Sequence, residues 1–202
     1  MKLHLLVITL LASCILHSTG ENSEKPPCCR EIASGKPMND KSLYQLDSKW
    51  TSDVGREVKL SVLRGRPQVV AMFFASCEYT CPVIVENMKE IERKLPDALR
   101  GKVDFLLVSF DVERDTTAAL HAYRAKRDLS TKKWTLLRGS EDDVRELSAL
   151  LGVNYQKDAR GQFSHSNIIT VLDSEGVIAF QQTGVNRDPA ETVTALGKLF
   201  QR

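Results

Sequence analysis

Two cysteines four positions apart place the strongest constraint on this chain. Cys77 and Cys81 follow an almost unbroken apolar run, residues 68–75, and precede residues 82–94, where apolar side chains recur at helical spacing. Such a run predicts a strand buried on both faces, and a proline directly after Cys81 favours a helix start. The two thiols are therefore expected at a strand-to-helix junction, about one helical turn apart. Converging thiols suit a soft metal ion or a reversible disulfide.

The rest of the pattern predicts an α/β fold. The other expected elements are a β-rich entry at 44–63, strands at 103–110, 134–137, 167–172 and 177–182, and helices at 115–127, 140–151 and 188–200. Asp115 and Ser140 are the expected helix caps. The order of elements is strand–helix–strand at the start of the domain and strand–hairpin–helix at its end. This order predicts a central mixed β-sheet flanked by helices. With the cysteines at the first junction, this is a thioredoxin-like fold with an N-terminal β-rich extension.

The first twenty residues have the pattern of a secretory signal peptide. Lys2 precedes the apolar run 5–16, and small residues follow at 18–20. The run is shorter than the roughly 20 residues that a membrane span needs. Residues 11–14 also resemble a bacterial lipoprotein box, in which Cys14 would be lipidated, so a soluble and a lipid-anchored product both remain open. Either way the chain is expected to be exported, to the periplasm or cell envelope.

Residues 21–43 differ in composition from the domain that follows. They are rich in Pro, Lys, Ser, Asn and Glu and predict a flexible arm. Cys28 and Cys29 lie within it, either as an accessory metal or redox site or as an exposed pair with no defined partner. Residues 44–202 then form one continuous domain. The formal charge is +2, from 28 basic and 26 acidic residues without a basic run, which gives no indication of a nucleic-acid partner.

The spacing of the cysteines leaves room for an ion between them. Thioredoxin-type redox motifs have two intervening residues, whereas three separate Cys77 from Cys81. A thiol near a helix N-terminus is deprotonated more easily, which serves metal binding and thiol exchange alike. His165 lies just before a predicted strand, in a loop that faces the first helix in thioredoxin-like sheets. Thiol oxidoreductases of this fold usually carry a cis-proline in that loop, whereas here the loop directly before Asn167 contains no proline.

Two thiolates and one imidazole form a soft site of low coordination number. Cu(I) suits such a site, and Cu(II) suits it with one added ligand. Zinc usually has four ligands, and no fourth ligand is evident in the sequence. Met72 and Met88 are expected in the core. Two roles are open for Asp111 and Asp115. They either cap a helix and shape the loop, or they tune the site or contact a partner.

Four ordered segments together resemble the Sco/SenC family of copper-binding proteins. They are residues 69–74 leading into 77–82, residues 108–116, His165 with Ser166, and residues 172–176. The likeness covers about residues 44–200. It implies a thioredoxin-like fold, copper ligands at Cys77, Cys81 and His165, and a role in assembling the binuclear copper centre of cytochrome c oxidase.

The resemblance also implies partners and shows two departures. The partners would be the copper-bearing oxidase subunit or another copper chaperone, with membrane contact only through a lipid anchor at Cys14. The family often has proline at the position of Val112 and an acidic residue at that of Ser164, and the second change is expected to loosen the orientation of His165. The alternative function is a thiol–disulfide oxidoreductase that uses Cys77 and Cys81, and the two roles can coexist.

Overall fold

The computed structural model describes residues 39–159 and 161–201. The predicted leader, most of the predicted arm, and the cysteines at positions 14, 28 and 29 lie outside these residues. The strands are β1 Trp50–Ser52, β2 Glu57–Val58, β3 Gln68–Phe73, β4 Asp104–Ser109, β5 Trp134–Arg138, β6 Tyr155–Lys157, β7 Phe163–His165, β8 Ile168–Leu172 and β9 Ile178–Thr183. The α-helices are α1 Thr80–Lys94, α2 Thr117–Arg127, α3 Glu141–Leu150 and α4 Ala190–Leu199. None of these helices combines the length and the apolar character needed to cross a bilayer.

Seven strands form one sheet, which is mixed as the sequence predicts. Their order is β2-β1-β5-β4-β3-β8-β9, and β6 pairs with β7 in a separate two-stranded sheet. Strand β3 is parallel to β4 and antiparallel to β8, and every one of its residues is buried. Because Phe73 of β3 pairs with Ser109 of β4, both strands end at the same edge of the sheet.

Helices cover both faces of this sheet. The side-chain amide of Gln181 donates to the carbonyl of Leu151, just after α3, at 2.9 Å. The next residue, Gln182, accepts a hydrogen bond from Thr192 of α4 at 2.9 Å. Successive side chains of a strand point to opposite faces, so α3 and α4 lie on opposite faces. Helix α1 packs against α4.

Two predicted helix caps have different outcomes. Ser140 caps α3 by accepting a hydrogen bond from the backbone N–H of Asp143, which confirms the prediction. The predicted cap of α2 at Asp115 is wrong by one position, because Thr116 accepts from the N–H of Ala119 instead. Asp115 is turned inward and is 1% exposed. Both residue types can cap a helix, and only the tertiary structure shows which of them does.

The N-terminal extension contains less strand than the sequence predicts. Two short 3-10 helices, Leu43–Gln45 and Leu60–Leu63, accompany β1 and β2. Strand β1 pairs with β5 and so widens the sheet. The buried carboxylate of Asp53 accepts two hydrogen bonds from the buried guanidinium of Arg124, at 2.5 and 2.8 Å, which ties the extension to α2.

The turn between β8 and β9 requires glycine at position 176. Gly176 has a φ of +81°, and a Cβ there would lie 2.6 Å from the ring of Tyr44. Its carbonyl accepts a hydrogen bond from the backbone N–H of Leu43 at 3.0 Å. The extension therefore closes over the end of the sheet opposite to the cysteines.

Replacing this glycine should cost more stability than replacing a comparable one elsewhere. Gly152 has a φ of +68°, and a Cβ there would have no atom within 4 Å, so Gly152→Ala should lower the free energy of unfolding by about 1 kcal/mol through the left-handed backbone alone. Gly176→Ala adds overpacking against Tyr44, about 1–3 kcal/mol more. Urea denaturation of both variants measures the difference. Equal losses would show that the Tyr44 contact does not constrain the turn.

Candidate metal centre

The two cysteines lie at the junction between β3 and α1, as predicted. Cys81 is the second residue of α1 and its side chain is fully buried, whereas Cys77 is half-buried in the preceding loop. The backbone N–H of Cys81 donates to the sulfur of Cys77 at 3.4 Å. The N–H of Cys77 itself donates to the carbonyl of Phe74 at 3.2 Å. The loop is therefore a turn that folds the first thiol back over the start of the helix.

A buried carboxylate holds this loop to the neighbouring strand. Asp115 accepts a hydrogen bond from the backbone N–H of Ala75 at 2.8 Å and another from the hydroxyl of Ser109 at 2.5 Å. Burial raises the pKa of Asp115, although these two bonds act in the opposite direction. Of the two interpretations of Asp115, the structure supports a role in loop structure, although not as the helix cap, because its carboxylate holds the loop before Cys77. Asp111 instead accepts from the Arg114 side chain and from its backbone N–H.

His165 approaches the thiols from across the fold. It is the last residue of β7, which corrects its predicted position in a loop. Its Nε2 lies 3.5 Å from the sulfur of Cys81 and 3.3 Å from the hydroxyl oxygen of Thr80. The imidazole packs against Phe110, at 5.0 Å between ring centroids, and against Phe74, at 6.0 Å. These two aromatic contacts hold the imidazole beside the sulfurs.

A backbone carbonyl sets which nitrogen of His165 is free. Nδ1 lies 3.0 Å from the carbonyl oxygen of Ser166. A carbonyl can only accept, so in the neutral ring Nδ1 carries the hydrogen and Nε2 keeps its lone pair. Burial lowers the pKa of His165, against a smaller opposing effect of the Ser166 bond. Ser164 is exposed. The hydrogen-bond acceptor that orients His165 is therefore the Ser166 carbonyl and not a side chain at position 164.

The two thiols differ in acidity. Burial acts to raise the pKa of Cys77, but hydrogen bonds from the backbone N–H groups of Cys81 and Tyr79 and from the side chains of Cys81 and Thr80 together outweigh it, so the pKa falls below its usual value. Burial raises the pKa of Cys81 well above its usual value, and nearby negative charge adds to the effect. Cys77 is therefore the thiol that ionises first.

The three side chains form a group that can hold a metal ion. One ligand atom from each of Cys77, Cys81 and His165 lies within 4.8 Å of the other two. Ligand bonds of about 2.0–2.3 Å place two ligand atoms of one ion at most about 4.6 Å apart. Small side-chain adjustments therefore suffice for all three to reach one ion.

The group is accessible from two sides. Cys77 lines a cavity of about 640 Å³ together with Phe74, Tyr79 and Phe163. Tyr79 is 82% exposed at this cavity. His165 lines a second cavity, of about 550 Å³, beside β6. An incoming ligand can thus approach the Cys77 side or the His165 side, whereas Cys81 is reached from neither.

Several features around the site have no local signal in the sequence. Strands β6 and β7, the aromatic contacts of Phe74 and Phe110, and the position of Thr80 were not predicted. The aromatic residues were visible in the sequence, but their approach to His165 depends on the packing of β7. Met72 and Met88 are buried in the core, as predicted.

Comparisons with known proteins agree on one family. The SCO1/SenC family model matches residues 37–201. A SCO1 protein homolog of Bacillus subtilis is 23% identical over 165 residues, which are 79% of this chain and 84% of the relative. The structure of Arabidopsis thaliana ScoI with copper bound is similar, with a TM-score of 0.67 and 21% identity over 76% of this chain and 96% of that one.

A second solved structure has the same fold. BsSco, described as having a disulfide switch and as a member of the Sco family of cytochrome c oxidase assembly proteins, has a TM-score of 0.66 at 22% identity. The match covers 76% of this chain and 91% of that one. At such low identity these structural likenesses establish the thioredoxin-like fold and carry no detail of the site.

The unequal thiols should react at unequal rates. In reduced protein at pH 7, iodoacetamide should modify Cys77 at least about tenfold faster than Cys81, because the thiolate is the nucleophile and burial shields Cys81. Tandem mass spectrometry locates the first modified residue. The rate at Cys77 should rise with pH to a midpoint below about 8.5, the value of a free cysteine. Equal modification of both residues would contradict the assigned asymmetry.

Proposed function

The chain belongs to the SCO1/SenC family, and from this premise we propose that it is a copper chaperone. Its cargo would be one copper ion, bound by Cys77, Cys81 and His165. The single observation that carries this proposal is the convergence of two thiols and an unprotonated imidazole nitrogen within 4.8 Å. These donor atoms are correct in kind and number for Cu(I), which prefers soft ligands.

The surroundings of the group favour copper over zinc. Within the described residues, no fourth His, Cys, Asp or Glu joins the group, whereas structural zinc sites are almost always four-coordinate. The nearest carboxylate in the hydrogen-bond network, Asp115, already accepts bonds from Ser109 and Ala75. Cu(I) needs no fourth ligand, and Cu(II) can complete its shell with water through the open side near Cys77.

The arrangement also suits release of the cargo. Cys77 is half-buried at a cavity and has the lowered pKa, so a thiolate of an acceptor protein can approach the ion on that side. Cys81 is shielded and would leave the ion last. Copper can thus pass to an acceptor by stepwise exchange of ligands, without any chemical turnover.

Family membership supports a proposal for the client and the location. We infer that the chain assists copper-centre assembly of cytochrome c oxidase, with the copper-bearing subunit or another copper chaperone as partner. The described relatives BsSco and copper-bound ScoI are consistent with this role. The leader at residues 1–20 supports export to the periplasm or cell envelope, either free or anchored through Cys14, with the domain 44–202 as the working part.

A second candidate function rests on the same thiols. The lowered pKa of Cys77 and its accessible sulfur favour nucleophilic attack on a disulfide. Cys81 lies one turn further along and can resolve the mixed disulfide. A thiol–disulfide oxidoreductase is therefore the alternative, and the relative with a disulfide switch supports it.

Copper titration of variants tests the proposed site. Reduced protein without the leader should bind one equivalent of Cu(I) tightly in an anaerobic competition titration. His165→Ala should lower the affinity by about a hundredfold or more, since loss of a ligand exceeds the tenfold to hundredfold cost of losing an outer-shell partner. His121→Ala, at an exposed histidine of α2, should bind as the wild type does. A Cys28→Ser/Cys29→Ser variant should also keep the tight site.

The outcomes separate the two functions. Weak binding that does not respond to His165→Ala would contradict the copper proposal. The oxidoreductase predicts that Cys77→Ser abolishes reduction of a disulfide substrate, while His165→Ala leaves most of the rate. A Cys77→Ser variant with an unchanged rate would remove the alternative.

A further inference from the structure

A fourth polar atom lies within the ligand group. The hydroxyl oxygen of Thr80 is 3.3 Å from Nε2 of His165 and 3.8 Å from the sulfur of Cys77. Thr80 is the first residue of α1 and is half-buried, so its hydroxyl reaches the group from the helix that carries Cys81. A neutral hydroxyl is a poor ligand for Cu(I). The Thr80 hydroxyl therefore lies between two ligand atoms without being expected to coordinate copper itself.

The direction of its hydrogen bond follows from the tautomer of His165. Because Nδ1 must donate to the carbonyl of Ser166, Nε2 can only accept. The Thr80 hydroxyl therefore donates to the lone pair that a metal ion would use. The thiol of Cys81, 3.5 Å from Nε2, is the competing donor, and a thiol donates more weakly than a hydroxyl.

We propose that the Thr80 hydroxyl and copper alternate at Nε2 of His165, an inference that rests on the proposed function. In the metal-free protein the hydroxyl donates to Nε2 and keeps the ring turned toward the thiols. When copper takes the lone pair, the hydroxyl turns to the sulfur of Cys77. When an incoming ligand displaces His165 from the ion, the hydroxyl donates to Nε2 again. The proton stays on the Thr80 oxygen throughout.

This alternation affects the affinity for copper and the rate of copper transfer together. The hydroxyl lies 3.3 Å from the imidazole nitrogen that accepts in the empty protein, but 3.8 Å from the sulfur that accepts in the loaded one. Its removal therefore costs the empty protein, and the state with a released imidazole, more than the loaded protein. The Cu(I) affinity should rise and transfer should slow, each by roughly threefold to tenfold, the weight of one ordinary hydrogen bond.

Two substitutions separate the hydroxyl from the shape of the side chain. Thr80→Val keeps the branched shape and removes the donor, whereas Thr80→Ser keeps the donor. Thr131→Val, at an exposed threonine in the turn before β5, is the matched control. In the reduced, metal-free chain, ¹⁵N spectra should show the Nε2 resonance of His165 moving downfield in Thr80→Val only. An unmoved resonance in Thr80→Val would overturn the proposal.

The loaded protein gives the second test. Stopped-flow transfer of Cu(I) to the chelator bicinchoninate should be threefold to tenfold slower from Thr80→Val, and close to wild type from Thr80→Ser and Thr131→Val. A wild-type rate in Thr80→Val, or an equal slowing in Thr80→Ser, would overturn the alternation while leaving the copper site intact. Failure of the wild type to bind Cu(I) would overturn the proposed function and the alternation together, whatever the nitrogen spectra show.

Discussion

Strand β3 is hydrogen-bonded on both sides and buried along its whole length, and the site depends on where this strand ends. Its parallel pairing with β4 brings Phe73 beside Ser109, so that Asp115 can bond both to Ser109 and to the loop before Cys77. Its antiparallel pairing with β8 returns the chain to the same edge. The register of one central strand thus brings together two side chains, Cys81 and His165, that are 84 positions apart.

The chemistry of the site comes from the unequal environments of similar groups. Cys77 and Cys81 are one helical turn apart, yet backbone N–H groups lower the pKa of the first and burial raises that of the second. A carrier that must both hold and release an ion gains from such a pair, with one exposed ligand that exchanges and one shielded ligand that stays. The same inequality suits a nucleophile with a resolving partner, which is why the two candidate functions share their residues.

Much of the fold was predictable because its signals are local. The apolar run before Cys77, the helical spacing after Cys81 and the Ser140 cap each act within a few residues, and each has the expected outcome. Strands β6 and β7 are three residues long, too short for a period of two to stand out. The inward turn of Asp115 depends on Ser109 and Ala75, which only the folded sheet brings near. The approach of His165 to the thiols was predictable only through the thioredoxin-like plan, and its Ser166 partner was not.

X-ray absorption spectroscopy of the Cu(I)-loaded protein tests the central claim most directly, because it counts the atoms bonded to copper. We predict two sulfur ligands and one nitrogen ligand in the wild type, with the nitrogen contribution lost in His165→Ala. A shell of sulfur atoms alone in the wild type, or one that His165→Ala leaves unchanged, would contradict the assignment of Cys77, Cys81 and His165 as the copper site.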